Sequence, residues 1–382
     1  MAEKPFSMQE EDKNFSEEIL GFEFEEDVVQ PISEPFDPSK IKVQTEKKTI
    51  DLIFRRWVHE EIDLAPEFQR RARLWPAFRR SQLIESLLLK IPLPVFYVAA
   101  DQEDRWAVVD GLQRITTIID FLSNEFPLEG LEYLSHLEGQ YYSSLDRAMK
   151  RRIEETELVI NIIQPGTPDE VMMNIFKRIN TGGIALNGQE IRNAINKGVA
   201  RSFLNYLATS IEFQRATDFS VSDKRMDAQE LVLRFVAFSA LNVNERQRNL
   251  ENLLNESMKQ LNIMENRQLD VIAMDFKKSM ALAFELFGAD AFRKPSSNNK
   301  RNPINKSLFD SWSVVLSTLH EREALALTNN KALLLNNYYN TYASDSKFVE
   351  SITTSTGHHP RIMKRFLTIL TIVRETIQGN QI

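Results

Sequence analysis

The chain has no cysteine among its 382 residues. That absence removes disulfides, thiol nucleophiles and every cysteine-ligated zinc or iron–sulfur site. Histidine is scarce as well: His59, His136, His320, His358 and His359 are the five present. A histidine-rich catalytic metal centre is therefore not expected, and the pair His358-His359-Pro360 has no nearby acidic partner to make it one. No apolar run approaches the length of a bilayer span, and the opening MAEKPFSMQEEDKNF lacks a basic region followed by an apolar stretch. The expectation is a soluble, cytoplasmic protein.

What is present is a globular composition, 42% hydrophobic and 26% charged, on a length that suits two to three domain-sized units. The 47 Lys and Arg against 54 Asp and Glu leave a formal charge of −7, and it is unevenly spread. Residues 1–40 carry twelve acidic residues and three lysines, net −9, so residues 41–382 stand at +2. With Pro5, Pro31, Pro35 and Pro38 and no sustained periodicity, residues 1–40 read as an acidic, disordered leader. Such a leader either solvates the chain or covers a basic surface on the same molecule.

From Lys47 onward the pattern becomes regular. Ile50, Ile53, Phe54 and Trp57 form one apolar helical face. Pro66 disfavours helix at Ala65, so Ile62 to Arg73 reads as extended or loop, and Trp75-Pro76 opens a helix running to about Leu89. Val95 to Ala99 and Trp106 to Val109 are expected as a hairpin around the charged turn Asp101 to Asp104. The helix carrying ITTIIDFL follows directly. Leu158 to Ile163 reads as a third strand, and a helix carrying Val171 to Arg178 follows Pro165 to Asp169. Beyond Val199 glycine nearly vanishes and helical patterns dominate, over Gln229 to Leu241, Asn249 to Ile263, Leu269 to Phe287, Lys306 to His320 and Arg361 to Ile377. The expected architecture is α+β over residues 41–198, followed by a mostly helical domain over 199–382.

Three clusters carry candidate chemistry. The first is VVDGLQRITTIIDFL: a strand, a glycine-containing turn and a helix start, whose unsatisfied N–H groups attract anions. Gly111 permits close backbone approach, Arg114 supplies a planar fork for phosphate oxygens, Gln113 can orient a water, and Asp110 can hold Mg²⁺. The same residues also suit an ordinary Asp-Gly turn, a helix cap and a surface ion pair. The second cluster, PEFQRRARLWPAFRR over 66–80, has five arginines beside Phe68, Trp75 and Phe78, which suits phosphate or nucleic-acid contacts or a solvated basic face. The third is FKRINTGGIALNGQEIRNA, where Arg178 and Asn180 precede the permissive pair Gly182-Gly183.

In this order, the blocks PEFQR, LIESLLLKIPLPVFY, VVDGLQRITTIIDF, IFKRINTGGIALNGQEIRNA, DAQELVLRFVAFSA and INKSLFDSW resemble the N-terminal domain family of GmrSD-type restriction endonucleases. The resemblance implies a ParB/sulfiredoxin-like N-terminal fold and a nucleoside-triphosphate-binding, hydrolysing module of a bacterial DNA-defence system. The family's Asp-Gly-Gln-Gln-Arg motif falls on Asp110, Gly111, Leu112, Gln113 and Arg114, with Leu112 departing from it. A catalytic amide missing at 112 would spare binding and impair hydrolysis, whereas a packing position would tolerate leucine. The family's further motifs fall on Gln69 and Arg70 and on Arg178 and Asn180; these, with Gly111, Gly182 and Gly183, are expected to bind the nucleotide, and Asp110, Gln113 and Arg114 to serve catalysis with Mg²⁺ held by Asp110. Larger relatives add an HNH-type nuclease, a pattern not seen in this sequence. The rival expectation is a DNA-binding sensor acting with a separate nuclease, although a body of net charge +2 is not strongly basic.

Overall fold

The computed structural model describes residues 42–64, 75–179, 187–196, 198–240, 250–296 and 301–379; the acidic leader lies outside these. The chain divides into two compact units, separated between Asn187 and Gly188.

In the first unit the elements run β1 (Val43–Thr49), α1 (Ile50–Val58), β2 (Ile62–Asp63), α2 (Ala77–Leu88), β3 (Phe96–Ala100), β4 (Trp106–Asp110), α3 (Leu112–Leu122), α4 (Arg147–Glu154), β5 (Glu157–Ile163) and α5 (Asp169–Ile179). Among the described residues the strands form one five-stranded mixed sheet in the order β1-β5-β3-β4-β2. β3 and β4 are the expected antiparallel hairpin, and β5 lies parallel to β3 on its other side. β1 pairs antiparallel with β5, Val43 opposite Ile163 and Thr49 opposite Glu157.

Each element has a local cause. Thr49 ends β1 and caps α1, accepting from the Leu52 N–H at 3.3 Å, and Asp146 caps α4 by accepting from the Met149 N–H at 2.8 Å. The apolar faces of α1, α2 and α3 bury Ile53, Ile84, Leu87, Ile115 and Ile119 against Phe96 and Ile160 of the sheet. An irregularity between Tyr97 and Val98 shifts the β3–β4 register, pairing Val98 with Val108 but Tyr97 with Asp110. That shift carries strand pairing up to the residue before the Gly111 turn.

The second unit is helical: α6 (Gly188–Ile195), α7 (Val199–Ala208), α8 (Ile211–Ala216), α9 (Asp227–Ala240), α10 (Leu250–Ile263), α11 (Asn266–Phe287), α12 (Lys306–Ser317), α13 (Glu321–Asn329), α14 (Lys331–Ser344), α15 (Ser346–Thr353) and α16 (His359–Gln378). The five helices expected from periodicity are α9, α10, α11, α12 and α16. An aromatic cluster of Phe213, Phe235, Phe276 and Phe309 sits at the centre of this unit. Asp310 is buried among α9, α12 and α16, bound bidentately by Arg234 at 2.8 Å and by Arg365 at 3.0 Å. Among the described residues no helix is long and apolar enough to cross a membrane. The architecture is α+β, a mixed sheet with its helices followed by a helical part.

Candidate functional site

β4 ends at Asp110 and α3 begins at Leu112, which leaves one residue to turn the chain. Gly111 does so with φ 94° and ψ 11°, in the left-handed region. Glycine is required twice over here: an L side chain disfavours that conformation, and an added Cβ would lie 2.9 Å from Phe96 Cε1. The turn gives α3 no side-chain cap. The first helical bond runs from the Ile115 N–H to the Gly111 carbonyl at 2.8 Å. The N–H groups of Leu112, Gln113 and Arg114 therefore precede the helical ladder, at the positive end of the helix dipole.

Arg114 turns back from α3 toward the start of β3. Its guanidinium donates to the Asp110 carboxylate at 2.9 Å, to the Val95 carbonyl at 3.3 Å and to the Pro94 carbonyl. It also lies over the Phe96 ring, 4.3 Å from the centroid. Burial draws its pKa below the usual arginine value, against the pull of Asp110. The Arg114 side chain is 13% exposed and that of Asp110 33%, so the carboxylate is the partner facing solvent. Arg114 is the clamp that joins strand β3, the turn and the helix start.

Residues 54–197 match the family described as GmrSD restriction endonuclease, N-terminal domain. That segment carries a GmrSD-type N-terminal domain. The matched span runs from α1 to just past α6 and includes the whole Asp110–Arg114 turn. No curated protein matches the chain.

Within the GmrSD-type domain, Asp110, Gly111, Gln113 and Arg114 come together at one turn. Gln113 Oε1 is buried without a hydrogen-bond partner among the described residues. Leu112 packs against the apolar core. Arg178 is exposed in the last turn of α5. Gln69, Arg70, Asn180, Gly182 and Gly183 lie outside the described residues. Of the basic cluster, Arg80 is tied to Asp120 at 3.0 Å and covers the Phe126 ring at 3.7 Å, while Arg79 lies over Trp75. Glu190 and Arg192 are buried within the helical unit, paired with Arg225 at 3.1 Å and Glu251 at 3.3 Å.

Periodicity and spacing missed Pro94, Val95 and Phe96 as parts of the site, and Thr116 and Thr117 beside Gln113. One signal was available: the run IPLPVFY places prolines, which keep a carbonyl but lack an N–H, immediately before a strand. Among the described residues no three acidic or histidine side chains cluster to hold a metal. A shallow concavity of about 560 Å³ in the helical unit is lined by Tyr206, Glu212, Asp270, Met274, Lys277 and Lys278. It is widely open, and its Lys277 ammonium is already bonded to the Tyr206 hydroxyl at 2.6 Å. The Asp110 turn, by contrast, combines orphan backbone donors with a half-buried carboxylate.

Proposed function

We propose that the Asp110–Arg114 turn is the triphosphate end of a nucleotide site in a restriction-type DNA-defence module, and that it supports slow nucleoside triphosphate hydrolysis. The observation that carries this reading is the left-handed Gly111, which presents an uncapped helix start beside the partly exposed Asp110 carboxylate. Phosphate oxygens accept from the first-turn N–H groups of α3, where the helix dipole favours negative charge. Arg114 keeps Asp110 and the turn in place, so its contribution is positioning. Gln113 offers an amide oxygen able to hold an attacking water, and phosphoryl transfer depends mainly on such positioning and on charge stabilisation. Asp110 is the carboxylate of the turn, which fits a Mg²⁺ ion that arrives with the nucleotide, since that ion is commonly held by one or two carboxylates plus substrate phosphates. When bound it would neutralise developing phosphate charge. The family name supports placement in a restriction system, with DNA and a separate nuclease as its wider partners.

The test is calorimetric titration of the full chain with the four ribonucleoside triphosphates in Mg²⁺, joined to phosphate-release assays with and without DNA. Saturable binding is expected, weakened in Arg114→Ala because Asp110 and the turn lose the guanidinium that holds them. No binding of any triphosphate, together with salt-sensitive binding of duplex DNA, would transfer the turn to the DNA-sensor reading.

A further inference from the structure

Threonines inside helices commonly return their hydroxyl to a carbonyl one turn back. This chain follows the habit at Thr328, Thr341, Thr353 and Thr376, whose hydroxyls donate to the carbonyls of Ala324, Asn337, Val349 and Ile372 at 3.0, 2.8, 2.8 and 2.7 Å. Thr116 and Thr117 of α3 depart from it. They are 4% and 1% exposed, and neither hydroxyl has a hydrogen-bond partner among the described residues. Gln113 Oε1, one turn earlier, is buried and unpartnered in the same way.

These atoms share a direction. With 3.6 residues per turn, positions 113, 116 and 117 fall within a sector of about 100°, opposite the apolar face of Ile115, Ile118 and Ile119. Helical side chains lean toward the N-terminus, so the stripe points back toward the bare turn at Gly111. Its far end is closed by the Asp120–Arg80 ion pair at 3.0 Å. A buried polar group left unpaired carries its full desolvation cost, and the two hydroxyls would be relieved together by one polar ligand.

We propose that this stripe is the nucleoside subsite of the triphosphate site, an inference that rests on the nucleotide reading above. The phosphates and the attacking water occupy the helix start as far as Gln113, and the sugar and base lie along Thr116 and Thr117. The chemistry of the atoms selects the ligand. A hydroxyl both donates and accepts, so the two threonines suit a group that carries donors as well as acceptors. Phosphate oxygens only accept, whereas sugar hydroxyls and base amino or amide groups meet both roles.

The experiment titrates the full chain, in Mg²⁺, with the four ribonucleoside triphosphates and with inorganic tripolyphosphate, which has the anion and no nucleoside. The wild type should bind its best nucleotide at least about tenfold more tightly than tripolyphosphate, a difference of about 1.4 kcal/mol. Thr116→Val with Thr117→Val should erase that preference and leave tripolyphosphate affinity unchanged. Thr116→Ser with Thr117→Ser, which keeps both hydroxyls, should retain it. Without ligand, the valine pair should melt no lower than wild type, because it removes unpaired hydroxyls at nearly constant volume. If the pair does not fold, each single valine variant decides by the same comparison. A wild type that binds neither ligand overturns the nucleotide reading and this inference with it. Equal wild-type affinity for both ligands, or a nucleotide preference that survives the valine substitutions, overturns this inference alone.

Discussion

The ring of Phe96 fills the space in which a β-carbon at Gly111 would sit, with two ring carbons within 2.9 Å of that position. The segment that leads into β3 and supplies the Pro94 and Val95 carbonyls to Arg114 thus also brings in the ring that dictates glycine at the turn. Gly111→Ala should cost stability through the left-handed φ, about 1–2 kcal/mol, and further through displacement of Phe96. Urea unfolding of Gly111→Ala, Phe96→Ala and the double variant should show a coupling of about 1 kcal/mol or more between the two sites. Strict additivity would place the ring and the turn out of contact.

Asp310 should be the most sensitive single charge in the helical unit. It is fully buried and receives both Arg234 and Arg365, and Arg365 also donates to the Thr356 carbonyl at 2.6 Å. Asp310→Asn removes the charge that two buried guanidinium groups share, leaving Arg234 the more distant Glu230 at 3.6 Å, and should destabilise by about 3–5 kcal/mol. Replacing Arg234, Asp310 and Arg365 together by Met, Leu and Met should recover much of that loss, since removing every charge also removes the desolvation cost. Chemical denaturation of the two variants distinguishes the outcomes.

Asp227 gives the helical unit a pH dependence of definite sign. Burial pushes its carboxyl up to about 7, with Glu230 and Asp223 pushing the same way and Lys306 and Arg225 opposing. Glu230 goes the other way: burial would raise it, but Lys306, Arg192 and Arg234 prevail, with Lys306 at 2.9 Å. An unfolded aspartate ionises near 3.9, so between about pH 4 and 7 the folded chain keeps a proton that the unfolded chain has released. The stability due to Asp227 is therefore complete below about pH 4 and is lost as pH rises toward 7. Asp227→Asn should flatten this part of the profile and stabilise the protein above pH 7, by roughly 1–3 kcal/mol. Melting curves of both proteins from pH 5 to 8 check it, and parallel curves would refute the assignment.

The elements that could be read in the chain are those whose burial repeats locally. β3, β4 and β5 are runs of β-branched and aromatic residues buried in the sheet, and α1 shows one apolar face through Ile50, Ile53 and Trp57. β1 was not foreseen, because VQTEKKT is an edge strand whose side chains are polar after Val43 and mostly exposed. The short helices α8, α13 and α15 escaped for a related reason: each spans fewer than ten residues and buries only one to three of them. The turn itself was legible, since a strand, Asp-Gly and an amphipathic helix stand in immediate succession. The engagement of Arg114 was not. Its carbonyl partners, Pro94 and Val95, are 20 and 19 residues away in sequence, and the packing of β3 beneath the turn brings them there.

The last prediction concerns Leu112, where the resemblance to the family expects glutamine. Leu112 is half-buried and packs against the apolar core of the first unit, so its side chain serves the attachment of α3. The amide oxygen free to meet a ligand belongs to Gln113 instead. Leucine at 112 is then compatible with an intact site. Leu112→Gln should lower stability by about 1–2 kcal/mol, because an amide displaces apolar contact, and should leave nucleotide turnover within about twofold of wild type. Gln113→Ala should instead reduce turnover more than affinity if Gln113 holds the water. Phosphate release by the two variants, measured beside their melting temperatures, separates the roles. A large gain in turnover for Leu112→Gln would move position 112 out of the core and into the chemistry.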